Sequence, residues 1–255
     1  MIEIKNLKKS FGRKQVLRGV DLNIEKGKTT VIIGSSGCGK SVLLKHIIGL
    51  LKPDEGSVII DGEDITKMTD KEMYKVRNKF GFLFQSAALF DSMTVAENIG
   101  LGLVENNNLP QEQIDKIVSE KLSLVDLEGI ENLKPSELSG GMRKRVGLAR
   151  ALACNPEFIL YDEPTTGLDP ITSDSIDRLM DSLAKNEKLK VTSIVVTHDI
   201  FSVYEIADSV AMMYEGKIHW EGTPLELQKT DDKIVREFLE RTDLQSHLSK
   251  SDKNS

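Results

Sequence analysis

Gly34-Ser35-Ser36-Gly37-Cys38-Gly39-Lys40-Ser41 meets the pattern G-x-x-x-x-G-K-[ST] at every required position. Ahead of it, Thr29-Thr30-Val31-Ile32-Ile33 is a compact β-branched run; behind it, residues 41–50 place apolar side chains at helical spacing. Strand, glycine loop, helix is the context in which this pattern holds phosphate. Successive backbone N–H groups in a glycine-rich turn form a concave anion site, and the helix start adds the positive end of its dipole. In that setting Lys40 reaches the β and γ phosphates of a nucleotide, and Ser41 gives its hydroxyl to Mg2+. An α/β nucleotide-binding protein is the first expectation.

Composition narrows the classes. A chain of 255 residues can bury one large core, or a core with a smaller subdomain. Hydrophobic residues at 39% and charged residues at 29% describe an ordinary globular protein. The net charge of -6 gives no global basic field, so nucleic acid is not an expected partner. No apolar run approaches the length of about 18 residues that spans a bilayer, and Met1-Ile2-Glu3-Ile4-Lys5 does not read as a signal peptide. Cys38 and Cys154 offer no disulfide framework, which favours a reducing compartment.

Outward from the glycine loop, short strands are expected early, with Ile2/Ile4 and Val20/Leu22/Ile24 as core faces. Lys52-Pro53-Asp54-Glu55-Gly56 breaks the chain before a strand at 57–60. A helix is expected over 70–80, then a strand at 81–84 ending at Gln85. Between 86 and 154 the pattern turns helical, at 93–101, 110–124 and 141–153, like an insertion between strands of a nucleotide-binding core. Strand and helix alternation resumes with 158–161, a helix at 173–185, and a strand at 192–197. Two short strands follow around Tyr214-Glu215-Gly216, then helices at 224–229 and 231–241. Residues 246–255 are polar and expected to fray.

Phe158-Ile159-Leu160-Tyr161-Asp162-Glu163 puts two carboxylates at the end of an apolar strand. Asp162 is the candidate for the Mg2+ shell, and Glu163 for polarising the water that attacks the γ-phosphate. Thr197-His198-Asp199 follows a strand of the same kind, so His198 is a candidate for contact with the γ-phosphate and the water. Gln85 ends a strand too, and its amide oxygen can bind metal or water.

With Leu138-Ser139-Gly140-Gly141-Met142-Arg143, the chain resembles the ATP-binding cassette (ABC) transporter ATPases from residue 1 to about 225. The resemblance implies a P-loop NTPase of α/β class, with a RecA-like core, an N-terminal antiparallel β subdomain and an inserted α-helical subdomain. The core with its β subdomain would occupy 1–85 and 155–225, the helical signature subdomain 86–154, and a C-terminal helical extension with its tail 226–255. Phe11 matches the aromatic that stacks on adenine, Gln85 the coupling glutamine, and His198 the switch histidine. Ser139, Gly140 and Gly141 match the signature that meets ATP held by a second subunit, and Asp169 the loop that crosses the dimer interface. Gly34, Ser35, Ser36, Gly37, Cys38, Gly39, Lys40 and Ser41 hold the phosphates; Ser41, Gln85 and Asp162 serve the metal; Glu163, His198 and Gln85 serve the reaction. Departures are mild: Met142 stands where glutamine is common, and Tyr161 where an aliphatic is usual.

A narrower resemblance rests on Gln85-Ser86-Ala87-Ala88-Leu89-Phe90-Asp91-Ser92-Met93-Thr94-Val95, together with 138–150 and 161–170. These segments are similar to the ATPases of MCE-associated lipid transport systems. That implies ATP and Mg2+ as cofactors and a homodimer closed head to tail around two ATPs. It also implies integral-membrane permeases, MCE-domain lipid carriers, and a peripheral place on the cytoplasmic face of the inner membrane, or the stromal side of a plastid envelope. Leu89, Phe90 and Met93 are candidates for a groove that takes a permease helix, or for local packing of the insertion. The alternatives are an amino-acid importer ATPase, which more often has Gln-Gln in place of Met-Arg after the glycines, and a non-transport ABC ATPase. The latter usually carries a long coiled coil or a second fused cassette. The C-terminal stripe Val235, Phe238 and Leu239 can dock on its own core or on the neighbour's.

Overall fold

The computed structural model describes residues 1–107 and 109–251, with backbone only for 106, 107 and 243–251. In chain order the elements are β1 (Ile2–Phe11), β2 (Lys14–Ile24), β3 (Thr29–Ile33), α1 (Lys40–Ile47), β4 (Glu55–Ile60), β5 (Glu63–Asp64) and α2 (Asp70–Arg77). Then come β6 (Phe80–Leu83), α3 (Val95–Asn107), α4 (Gln111–Leu124), α5 (Gly140–Leu152), β7 (Phe158–Asp162) and α6 (Pro170–Ala184). The chain closes with β8 (Thr192–Val196), α7 (Ile200–Ile206), β9 (Ser209–Tyr214), β10 (Lys217–Gly222), α8 (Pro224–Lys229) and α9 (Lys233–Ser251). Contacts gather these into two compact units, Met1–Met68 with Val196–Ser255, and Thr69–Val195.

In the first unit, β2-β1-β4-β5 form an antiparallel sheet. Ile2 lies opposite Ile24 and Ile60, and Ile4 opposite Leu22 and Val58, so one face of the pleat is wholly apolar and buried. The alternation then slips. Asn6 takes φ 44, a bulge follows, and Leu7 rather than Lys8 turns inward. Gly56 sits against this bulge, where a Cβ would come within 2.3 Å of the Asn6 carbonyl. In the same unit β9 lies between β3 and β10, parallel to β3 and antiparallel to β10. Glu215 and Gly216 both have positive φ, as a two-residue hairpin turn requires. All five residues of β3 are buried, which is why its sequence runs apolar and β-branched without alternating.

α9 begins after Asp232, whose carboxylate accepts the N–H groups of Ile234 (2.9 Å) and Val235 (3.0 Å). It runs on to Ser251, well beyond the expected 241, because neither glycine nor proline interrupts 233–251. Residues 252–255 of the tail expected to fray lie outside the described residues.

In the second unit β7 lies between β6 and β8 and runs parallel to β6, Phe80 facing Phe158 with ring centroids 5.0 Å apart. Between β6 and β7 the chain makes α3, α4 and α5, packed through Val95, Ile99, Leu103, Ile114, Val118, Leu122 and Val146. Gly81 lets α5 approach β6 closely: a Cβ there would lie 2.5 Å from the Ala151 carbonyl. α6 buries Ile176, Leu179, Met180 and Leu183, an i, i+3, i+4, i+7 stripe.

Candidate active site

The first unit holds the phosphate loop. It leaves β3 at Gly34 (φ 147) and turns through Gly37 (φ 79) and Gly39 (φ 114). A Cβ on Gly34 would lie 2.3 Å from the Met213 carbonyl of β9, so only glycine fits. Gly39 is the N-cap of α1 and has no side chain to cap it, and no acid stands in the first turn, so the positive end of the helix faces the loop undiminished. Cys38 N–H donates to the Ser35 carbonyl at 3.2 Å, curling Ser35–Cys38 on itself. Lys40 is only 6% exposed; its Nζ folds back to donate to the carbonyls of Gly34 (2.7 Å) and Ser35 (3.5 Å). A loop that admits no Cβ at Gly34, closed by an ammonium and a helix start, fits the phosphate chain of a nucleotide.

Beyond β8, Thr197 N–H donates to the Ile32 carbonyl (3.2 Å), which fixes the exposed His198 one residue past a bond to the strand that feeds the loop. Phe11 is 47% exposed at the β1–β2 turn, with the Lys9 ammonium 5.8 Å from its ring centroid. An open aromatic face at that position suits a stacked base.

The second unit holds the acids. β7 delivers Asp162 at its end, and Glu163 follows in the left-handed region at φ 51, a costly conformation for glutamate. The Thr166 hydroxyl donates to the Glu163 carboxylate (3.0 Å), and Thr166 N–H to the Glu163 carbonyl (3.3 Å). Lys144, buried on α5, donates to that same carbonyl at 3.3 Å and to the Gln85 carbonyl at 2.5 Å. Burial pushes its amine down to about 8, against the pull of the Asp162 and Glu163 charges. Gln85 itself is exposed.

Ser139 is the N-cap of α5, its hydroxyl accepting Met142 N–H at 3.2 Å. A Cβ on Gly141 would lie 2.6 Å from the Thr172 methyl, so the second glycine of the signature serves helix packing against α6. Asp169 caps α6 through Ile171 N–H (3.1 Å), Thr172 N–H (3.0 Å) and the Thr172 hydroxyl (2.6 Å). The Thr172 hydroxyl foremost holds its carboxyl below the usual carboxylate range.

Among the described residues no three His, Cys, Asp or Glu side chains converge on one point. The donor set is one of scattered hydroxyl, amide and carboxylate oxygens, which suits Mg2+ bound mainly through nucleotide phosphates rather than in a protein cage.

Sequence reasoning passed over Lys144 and Thr166. Lys144 lies three residues after Gly141 and four before Leu148, on the buried face of α5, so the middle cation of Arg143-Lys144-Arg145 has to point inward. The helical wheel carries that signal.

A glycine cradle of this build defines the P-loop nucleoside triphosphatases. Residues 17–166 match the family described as ABC transporter. The chain belongs to that family, as its ATP-binding and ATP-hydrolysing cassette. It is 44% identical over 239 residues to the intermembrane phospholipid transport system ATP-binding protein MlaF of Haemophilus influenzae, covering 94% of this chain and 90% of that protein. It is 43% identical over 238 residues to the probable ribonucleotide transport ATP-binding protein mkl of Mycobacterium leprae, covering 93% of this chain and 68% of that one. A solved ATP-binding cassette, a dimer in a post-hydrolysis state bound to ADP and Pi, superposes with TM-score 0.80 at 37% identity, over 88% of this chain and 99% of that one. The fold is therefore the expected one: a RecA-like P-loop core with an N-terminal β subdomain and an inserted helical subdomain.

Proposed function

We propose that this chain is the homodimeric, Mg2+-dependent ATPase of a system that moves phospholipid between membranes. It works beneath integral-membrane permeases that connect to MCE-domain lipid carriers, on the cytoplasmic face of the membrane. The carrying observation is the 44% identity that runs through 90% of the phospholipid-transport relative. The mycobacterial name raises ribonucleotide transport as a second reading, but that alignment reaches only 68% of its protein. No helix among the described residues is long and apolar enough to cross a membrane. Phe90, 49% exposed, with Leu89 and Met93 half-buried beside it, is the surface assigned to the permease.

In the reaction, Phe11 stacks on the adenine and the N–H groups of residues 34–41 bind the phosphates. Lys40 exchanges the Gly34 and Ser35 carbonyls for the β and γ oxygens. Ser41, Asp162 and Gln85 would hold Mg2+, which would supply positive charge against those oxygens. Glu163 polarises the attacking water, its carboxylate aimed by Thr166, and His198 contacts the γ-phosphate. Ser139, Gly140 and Gly141 present the start of α5 to the ATP of the second subunit, with Asp169 beside the interface.

The test is a mild-detergent pull-down of the tagged chain from its native membranes, followed by mass spectrometry of proteins and lipids. Recovery of a multi-span permease, an MCE-domain protein and phospholipid is expected. Recovery with a solute-binding protein and no lipid carrier overturns the substrate class.

A further inference from the structure

α5 begins at the signature and does more than present it. Lys144, Gly147 and Arg150 follow one another at i, i+3 and i+6 along one side of that helix. Arg150 donates to the carbonyls of Ala87 (2.6 Å) and Ala88 (2.7 Å). Gly147 receives the same turn so closely that a Cβ would lie 2.8 Å from Leu83 and 3.2 Å from Ala87. Lys144 then takes the Gln85 carbonyl at the head of the turn, and with the same amine the Glu163 carbonyl. Both turns need holding. Ala87 and Ala88 are consecutive left-handed residues at φ 59 and 47, and Glu163 is left-handed at φ 51.

We propose that Lys144 is a positioning residue for ATP hydrolysis: by bridging the carbonyls of Gln85 and Glu163 it ties the glutamine turn and the water-polarising turn to the helix that bears the signature. The inference rests on the reading of Glu163 given above.

A space-filling role is a poor account of this side chain. Lys144 is 5% exposed, and an apolar residue of similar length fills such a space without desolvating a charge. Its neighbours Arg143 and Arg145 have other work, on the Leu138 carbonyl (2.6 Å) and on Asp126 (2.9 Å) and Ser175 (2.7 Å). What distinguishes Lys144 is that its two acceptors lie 78 positions apart, each the backbone carbonyl of a residue assigned to the chemistry.

The test compares the full chain with Lys144→Met, which keeps the stem and removes the donor, and with Lys144→Arg, which keeps a cationic donor. Steady-state ATP turnover and melting temperature are measured on each. The expected result for Lys144→Met is a kcat about tenfold or more below wild type, KM for ATP within about twofold, and an unchanged or higher melting temperature. Lys144→Arg should recover most of the lost kcat. A Lys144→Met kcat within about twofold of wild type overturns the proposal, as does a loss that only tracks melting temperature with no recovery in Lys144→Arg. If Lys144→Met does not fold, Lys144→Gln replaces it, since its shorter amide cannot reach both carbonyls. A kcat lowered about threefold or more at constant KM then supports the proposal, and one within about twofold overturns it. Glu163→Gln, run in parallel, separates the two readings. Near-normal turnover there defeats the role given to Glu163, whereas an inactive Glu163→Gln beside a normal Lys144→Met defeats only the role given to Lys144.

Discussion

Gly34 is where the phosphate loop has least freedom. Its substitution by alanine has to displace the Met213 backbone carbonyl, since the clash at 2.3 Å is not with a side chain that can swing away. Combining backbone strain and overpacking, Gly34→Ala is expected to cost roughly 2–4 kcal/mol, lowering the melting temperature by about 5–10 °C. Differential scanning calorimetry of the nucleotide-free chain reads this directly. Lys40→Ala should leave the fold intact, because its amine bonds to the loop carbonyls of Gly34 and Ser35. It should weaken ATP binding about 10- to 100-fold, the worth of a charge-assisted contact, in a fluorescent-nucleotide titration. At this scale the sequence was highly legible where spacing is rigid. Gly34, Gly39 and Lys40 are dictated by the loop, whereas Thr166 was not legible, because a threonine after Pro164-Thr165 gives no sign that its hydroxyl meets Glu163.

Among the elements, α9 makes the clearest pH prediction. Asp232 caps it and also meets His219 Nε2 at 3.0 Å; the Val235 N–H first, then the His219 contact, holds its carboxyl below the usual range. A depressed carboxylate contributes stability that is fully present above its unfolded-state value and is lost as pH falls through the lower folded-state value. Protection factors for hydrogen exchange at the start of α9, corrected for the intrinsic pH dependence of exchange, should therefore fall in the wild type as pH drops below about 4. Asp232→Asn keeps the capping oxygen but cannot be discharged, so the acid-dependent part of the change should vanish; an identical acid profile in the two proteins counts against the assignment. Helical periods such as 176, 179, 180 and 183 in α6 were plain in the sequence, as was the apolar face of β1 up to Ile4. The slip at Asn6 was not, since a bulge leaves no mark beyond one misplaced leucine. Nor was the left-handed pair Ala87–Ala88: alanine has no preference for that region, and the turn is imposed by Arg150 from a helix some sixty residues away.

For the whole molecule, the proposed head-to-tail dimer places Ser139 at the start of α5 against a second subunit's nucleotide. Ser139→Arg should spare ATP binding by the monomer and abolish ATP-driven dimerisation in a Glu163→Gln background, followed by size-exclusion chromatography; an unaltered dimerisation profile would sink that placement. The residues assigned to the chemistry come from widely separated stretches, and order along the chain is what made their family legible. Lys144 broke that rule, because its meaning lies in which carbonyls it finds, and no spacing encodes that. Its double grip has a consequence for economy. With Arg150 and Thr166 alone holding the two turns one by one, Gln85 could drift while Glu163 stood ready, and ATP would be spent with nothing moved. An amine shared between the two turns makes such half-set states cost a hydrogen bond at either end, so waste is curbed by the same contact that sets the geometry.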